Sequence, residues 1–144
     1  MESQTNKYVA GLIFSHDKSK VLLIRKNRPE WQSGFLNAIG GKIGKEESAI
    51  SAMIRQCDAE AECWTEPKDW AHVLTLRFLH AEIEFYATIR PKDSVFFDPN
   101  LKLISPTDEQ LEVIDLSSLQ LRNDVVYNLR SLIPLALDRL LQVV

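Results

Sequence analysis

Two cysteines, five glycines and no long apolar run are what this sequence has least of, and each shortage closes off a class of protein. No segment reaches the roughly 18 uninterrupted apolar residues of a membrane-spanning helix. The opening MESQTNKY has no basic flank followed by an apolar core, so it carries no sign of secretion or membrane insertion, and a cytoplasmic location without a membrane partner is expected. Cationic excess is also missing. A net charge of −3 gives no field for wrapping a nucleic acid polymer, whereas a small nucleotide needs only a few local cations. Cys57 and Cys63 lie six apart in a predicted helix, well over a hundred degrees apart around its axis, so no disulfide is expected between them. His16, His72 and His80 show no metal-ligand spacing with the cysteines, which argues against zinc.

What remains is ordinary for a globular chain. With 144 residues, 45% of them hydrophobic and 26% charged, one domain over residues 1–144 with a real core is the default. Repeats and low-complexity tracts are absent. The oligomeric state is not legible.

Lys7 to Phe14 and Lys20 to Arg25 are β-rich and apolar, and the polar SHDKS between them predicts a hairpin. The loop NRPEWQSG follows, then the short extended FLNAIGG, whose glycine pair is expected to mark a tight turn. Ile50, Met53, Ile54, Cys57 and Ala61 recur at threes and fours, the stripe of a helix packed on a sheet. Ser48 is placed to cap it, and Glu46 and Glu47 stand where the positive end of the dipole favours acids. AHVLTLRFLH and EIEFYATIR predict a second hairpin, with Val73, Thr75 and Arg77 on one face of its first strand and Leu74, Leu76 and Phe78 on the other. Pro91 to Asp108 reads as an irregular excursion with a short strand at Val95 to Phe97, and Leu111 to Leu116 as a last strand. Asp124 to Val143 predicts a helix, with Pro134 bending it or marking a restart.

The segment Gly40 to Cys63, GGKIGKEESAISAMIRQCDAEAEC, carries the chemistry. A glycine-rich approach to an acidic helix can set a hard cation against a phosphate. It resembles the Nudix box, G, five residues, E, seven residues, R-E-U-x-E-E-x-G-U, where U is a bulky aliphatic. Gly41, Glu47, Arg55 and Glu60 fall in register without a gap. RPEWQSGFLNAIGGKI, DWAHVLTL, TDEQLEV and NLRSLIPLALD extend the likeness to a MutT-like subgroup over most of the chain. The resemblance implies an α+β Nudix fold, a mixed β-sheet sandwiched between α-helices, with dependence on Mg²⁺ or Mn²⁺. It also implies nucleoside diphosphate-linked substrates.

Three positions depart from the pattern: Gln56 and Ala59 stand where it has metal-binding glutamates, and Glu62 where it has the late glycine. Gln56, Ala59 and Glu60 share one side of the helix, where only Glu60 is still an acid. Asp58 and Glu62, each two residues from Glu60, point elsewhere and read as a solvated face, with Arg55 and Asp58 spaced for a surface ion pair. By analogy with the family the remaining metal ligands are Glu60, the Gly40 carbonyl and Glu109 in TDEQ, with the Gln56 amide as a neutral fourth. A site short of two charges is expected to hold Mg²⁺ or Mn²⁺ weakly or not at all.

Around this centre, Glu47 either steadies the loop and orients Arg55 or simply complements the helix dipole. Arg55 is expected to tie loop to helix, as in the family. Lys42, Arg25 and Arg28 are candidate phosphate contacts, with ordinary surface cations as the plain alternative. Asn128 either reads a base edge or, more simply, caps a helix. Of Trp31, Phe35 and Trp70, one is a candidate for base stacking, against the commoner role of packing. Two functions stay open. One is a metal-dependent hydrolase with Glu60, Gln56, Glu47 and Arg55 in its catalytic apparatus; the other is a catalytically inactive Nudix-fold module that binds a nucleotide or a partner.

Overall fold

Strand β1 (Asn6–Phe14) is the axis of the molecule because both of its faces are apolar. Leu12 and Phe14 enter one core, while Val9 and Ile13 enter another on the opposite side. A strand whose residues alternate between two dry faces must lie inside a sheet covered on both sides. The following strand, β2 (Lys20–Arg25), repeats the pattern, with Val21 and Leu23 in the first core and Leu22 and Ile24 in the second. The computed structural model describes residues 5–101 and 103–142.

Five strands run in the order β3 (Leu36–Asn37), β2, β1, β6 (Ala81–Ile89), β5 (Ala71–Arg77). β1 pairs parallel with β6 along its whole length. Its other edge is shared: β4 (Ile39–Lys42) pairs with Tyr8 to Gly11, and β2 pairs only at Ile13 and Phe14. β7 (Gln110–Asp115) pairs antiparallel with β2. Helix α1 (Ala49–Ala61) packs on β4 and β1, while α2 (Leu129–Gln142) packs on β5 and β6 from the other face. The result is the expected mixed sheet between helices.

The hairpin turn at Ser15–Ser19 is held by Asp17, whose carboxylate accepts from the Ser15 and Ser19 hydroxyls and the Ser19 N–H. Ser48 is the N-cap of α1, its hydroxyl accepting from Ser51 N–H, a contact worth about 1 kcal/mol. Glu46 and Glu47 precede the cap, so no acid occupies the first helical turn. The expected apolar stripe is buried from Met53 to Ala61, with Ile50 half-buried.

Several expectations are corrected. Gly40 and Gly41 form no turn; they lie in β4 opposite Ala10 and Val9. A Cβ on Gly40 would stand 2.0 Å from the Val9 carbonyl oxygen, so it is backbone approach, not a bend, that excludes a side chain there. In β5 a bulge between His72 and Leu74 shifts the register, which puts Ala71, Leu74 and Leu76 opposite Ala87, Phe85 and Ile83 and breaks the simple alternation. Phe78 lies beyond the strand and is exposed.

Val95–Phe97 is a 3₁₀ turn with Phe96 in the core, not a strand. Helix α2 begins five residues late, because Asp124 and Val126 bond Leu36 as an extra edge and Val125 bridges it. It then runs through Pro134 without restarting. Cys63 lies outside α1, because Glu62 takes a left-handed cap (φ 50°) and turns the chain back. The argument from helical angle for separating the cysteines therefore does not apply: both are buried free thiols, and hydrogen bonding to Cys63 together with burial holds the Cys57 thiol far above its usual range. The expected helix end at Val143 and the first four residues of the opening segment lie outside the described residues.

Candidate functional site

Four segments converge on Glu60. It stands near the C-terminal end of α1, buried on the side that meets β4. Its Oε1 accepts the Gly40 N–H at 2.9 Å, and its backbone carbonyl accepts the Ser105 hydroxyl at 2.7 Å. Its Oε2 faces the ammonium of Lys26 at 3.7 Å. Burial pushes the Glu60 carboxyl up from its ordinary value, with Lys26 and the Gly40 N–H pulling the other way.

Glu109 comes from the loop before β7 and meets the same ammonium. Its Oε1 lies 3.2 Å from Lys26 Nζ, and its Oε2 accepts the Asn27 N–H at 2.7 Å. The three side chains are 16%, 8% and 9% exposed for Lys26, Glu60 and Glu109. The structure therefore brings Glu60, Gly40 and Glu109 to one place, but it is the Gly40 N–H that meets Glu60, not the Gly40 carbonyl named as a ligand from the sequence. The cation at their centre belongs to the chain itself.

Gln56 does not join them as a ligand. Its amide lies over Gly41, where a Cβ would meet Nε2 at 2.4 Å, and its longest reach is to the Lys42 carbonyl at 3.5 Å. Ala59 is exposed, as are Asp58 and Glu62. Among the described residues, no three His, Cys, Asp or Glu side chains stand together to share a metal ion. Glu60 and Glu109 each have one oxygen on a backbone N–H, while the other faces the same ammonium, hydrogen-bonded at 3.2 Å for Glu109 and in ion-pair range at 3.7 Å for Glu60. This donor set does not fit Mg²⁺ or Mn²⁺, which need several free hard oxygens.

Glu47 and Arg55 form the second feature. Glu47 accepts the Gly44 N–H and two guanidinium N–H groups of Arg55, which also reaches the Lys42 carbonyl. Arg55 thus ties the loop to the helix, and it pairs with Glu47 instead of Asp58. That guanidinium, then the Gly44 N–H, lowers the Glu47 carboxyl to about 2. A shallow cleft of about 550 Å³ lies along Gly44, Lys45, Glu46, Glu47 and Arg55. A second cleft, of about 450 Å³, lies between β7 and the segment Phe96–Leu103 and is lined by none of Lys26, Glu60 or Glu109.

The candidate phosphate contacts separate. Arg25 is engaged with Glu112, Asp124 and the Gly34 carbonyl, so its charge is already matched. Arg28 pairs with Asp108 at the surface. Lys42 is exposed and, among the described residues, has no ion-pair partner. Asn128 sits before α2 on the opposite face of the sheet from α1, its carbonyl accepting from Ser131 and Leu132, a capping position. Trp70 is core, its Nε1 donating to Thr65, whereas Trp31 is 66% exposed and Phe35 is at the surface.

Sequence reasoning missed Lys26 altogether. It follows an apolar strand like many surface lysines, and nothing in its spacing links it to the box. Ser105, in the irregular excursion, was missed for the same reason.

A mixed sheet between two helices, with a glycine-bearing strand leading into an acidic, Arg-tied helix, defines a recognisable class. The chain has the Nudix fold. It matches a MutT structure from work on Aliivibrio salmonicida and Vibrio cholerae at TM-score 0.69 and 20% identity, covering 94% of this chain and 99% of that one. The Nudix domain of Shewanella oneidensis NrtR, solved with ADP-ribose, matches at TM-score 0.72 and 17% identity over 97% and 90% of the two chains. A MutT Nudix hydrolase from Burkholderia pseudomallei matches at 0.68 and 17% over 91% and 97%. No family model and no curated protein matches the sequence significantly. Likeness at this identity establishes the fold and leaves activity to the site. Among the described residues no helix is long and apolar enough to cross a membrane.

Proposed function

We propose that this chain is a Nudix-fold module that binds a nucleoside diphosphate-linked ligand without hydrolysing it. One observation carries the reading: Glu60, the single acid left where the box would place three, has both oxygens turned inward to Gly40 N–H and Lys26. A single carboxylate held this way supplies too few of the hard oxygens that a dication needs. Lys42, exposed at the end of β4, is left to meet phosphate, and exposed Trp31 and Phe35 offer faces for a base. The NrtR domain, of the same fold, was crystallised with ADP-ribose, which makes that compound the first ligand to try.

The test is calorimetry of the full chain with ADP-ribose in the presence of a chelator, alongside a nucleotide panel with Mg²⁺ or Mn²⁺ followed for phosphate release. Binding in chelator with no turnover is the expected pair of results. Turnover above that of a Glu60→Ala control would sink the reading. The hydrolase alternative keeps one observation in its favour: the Glu47–Arg55–Gly44 tie that shapes the box loop is intact.

A further inference from the structure

This inference rests on the reading that the site takes no dication. We propose that Lys26 is the site's resident cation, its ammonium seated between Glu60 and Glu109 where a divalent ion would bridge them, so that a neutral residue at this position opens a metal site.

The geometry is that of a prepared cation seat. Each carboxylate is fixed from behind by one backbone N–H, Gly40 for Glu60 and Asn27 for Glu109, and each presents its second oxygen to the same nitrogen, at 3.7 and 3.2 Å. These supports come from four separate places: the end of β2, β4, α1 and the loop before β7. Two carboxylates held this close and mostly buried repel one another unless a cation lies between them. A tethered ammonium supplies one positive charge where a dication would supply two, which suits a site that has Gln56 and Ala59 in place of two acids.

The alternative is a buried ion cluster that merely packs. It would lose stability on removal of Lys26 and gain nothing from metal, because the seat would collapse or fill with water. The experiment therefore uses Mn²⁺ alone, with no nucleotide, on the full chain. Wild type, Lys26→Met, Lys26→Arg and Lys26→Met/Glu60→Gln are compared by Mn²⁺ electron paramagnetic resonance and by melting temperature with and without the ion.

The expected pattern is a Lys26→Met protein that binds Mn²⁺ on the order of tenfold or more tightly than wild type and melts higher in its presence. Lys26→Arg should stay insensitive to Mn²⁺, and adding Glu60→Gln to Lys26→Met should remove the gain. Equal Mn²⁺ binding by wild type and Lys26→Met overturns the proposal. So does a Lys26→Met protein that stays unfolded even when refolded with Mn²⁺ while Lys26→Met/Glu60→Gln folds. The two readings fail separately: absence of ADP-ribose binding by wild type in chelator counts against the functional reading alone, and absence of metal gain in Lys26→Met counts against this one alone.

Discussion

Lys26 Nζ lies 3.2 Å from Oε1 of Glu109, a residue 83 positions further along the chain. That contact closes the space where the sequence pattern leads one to look for metal. Nearly buried ion pairs are poor sources of net stability, because desolvation offsets most of the attraction, yet breaking one partner costs roughly 3 to 5 kcal/mol. A pair of this kind is more readily explained by what it excludes from the site than by what it adds to the fold.

Restoring the box acids alone should therefore not restore chemistry. A Gln56→Glu/Ala59→Glu variant is expected to show no Mg²⁺-dependent nucleotide hydrolysis, because Lys26 still fills the seat. The same pair combined with Lys26→Met is expected to bind Mg²⁺ and begin turnover. Isothermal titration with Mg²⁺ and a phosphate-release assay check both; Mg²⁺ turnover in the two-acid variant contradicts the role given to Lys26.

Glu60 should make stability fall as pH rises. Its folded carboxyl is raised above the ordinary 4.5 by burial, so over the window from about 4.5 up to its folded value the native state holds a proton that the unfolded chain has released. Stability therefore declines across that window. Glu60→Gln keeps an acceptor for the Gly40 N–H and leaves Lys26 paired with Glu109, so the decline should vanish. Urea midpoints measured between about pH 4 and 8 decide it. A wild type that gains stability as pH rises relative to Glu60→Gln would contradict the assignment.

Adjacent glycines should respond very differently to alanine. At Gly40 the new Cβ meets backbone, at 2.0 Å from the Val9 oxygen and 2.9 Å from the Ala10 Cα, so β4 must leave β1 and the loss should be roughly 3 kcal/mol or more. At Gly41 it meets only the end of the Gln56 side chain, which can swing away toward solvent. That substitution should cost less than about 1 kcal/mol. Chemical denaturation of the two single variants is sufficient.

The loop before α1 should loosen in acid. The Glu47 carboxyl lies at about 2 in the folded chain against an ordinary 4.5, so its contribution is complete above 4.5 and is lost as pH falls from there through about 2. Because the pair is accessible to solvent, the effect should be local and salt-sensitive. Protection of the Gly44 N–H, which donates to Glu47, taken relative to its intrinsic exchange rate at each pH, should fall over that range and be low at every pH in Arg55→Met.

The legible part of this protein followed from local regularities. The β-rich apolar runs Lys7 to Phe14 and Lys20 to Arg25 around a polar turn read as the strands of a hairpin, and Ser48 before a three-and-four stripe reads as a helix cap. The Glu47–Arg55 tie was legible as one of two readings, since both residues belong to one short segment. The start of α2 was not, because residues 124–126 are recruited as an edge by Leu36, far away in sequence. Nor was the bulge in β5, which is set by how that strand meets β6.

The sequence by itself determined the strands and the first helix, because side-chain periodicity and composition act over a few residues, while the sandwich and the loss of two acids from one helical side were what its resemblance to the Nudix pattern implied. Only the tertiary structure decided what occupies the gap. A lysine at the end of one strand, a glutamate on a helix and another on a distant loop become neighbours solely through the packing of four elements, and electrostatics between such groups depends on distances that no linear spacing encodes.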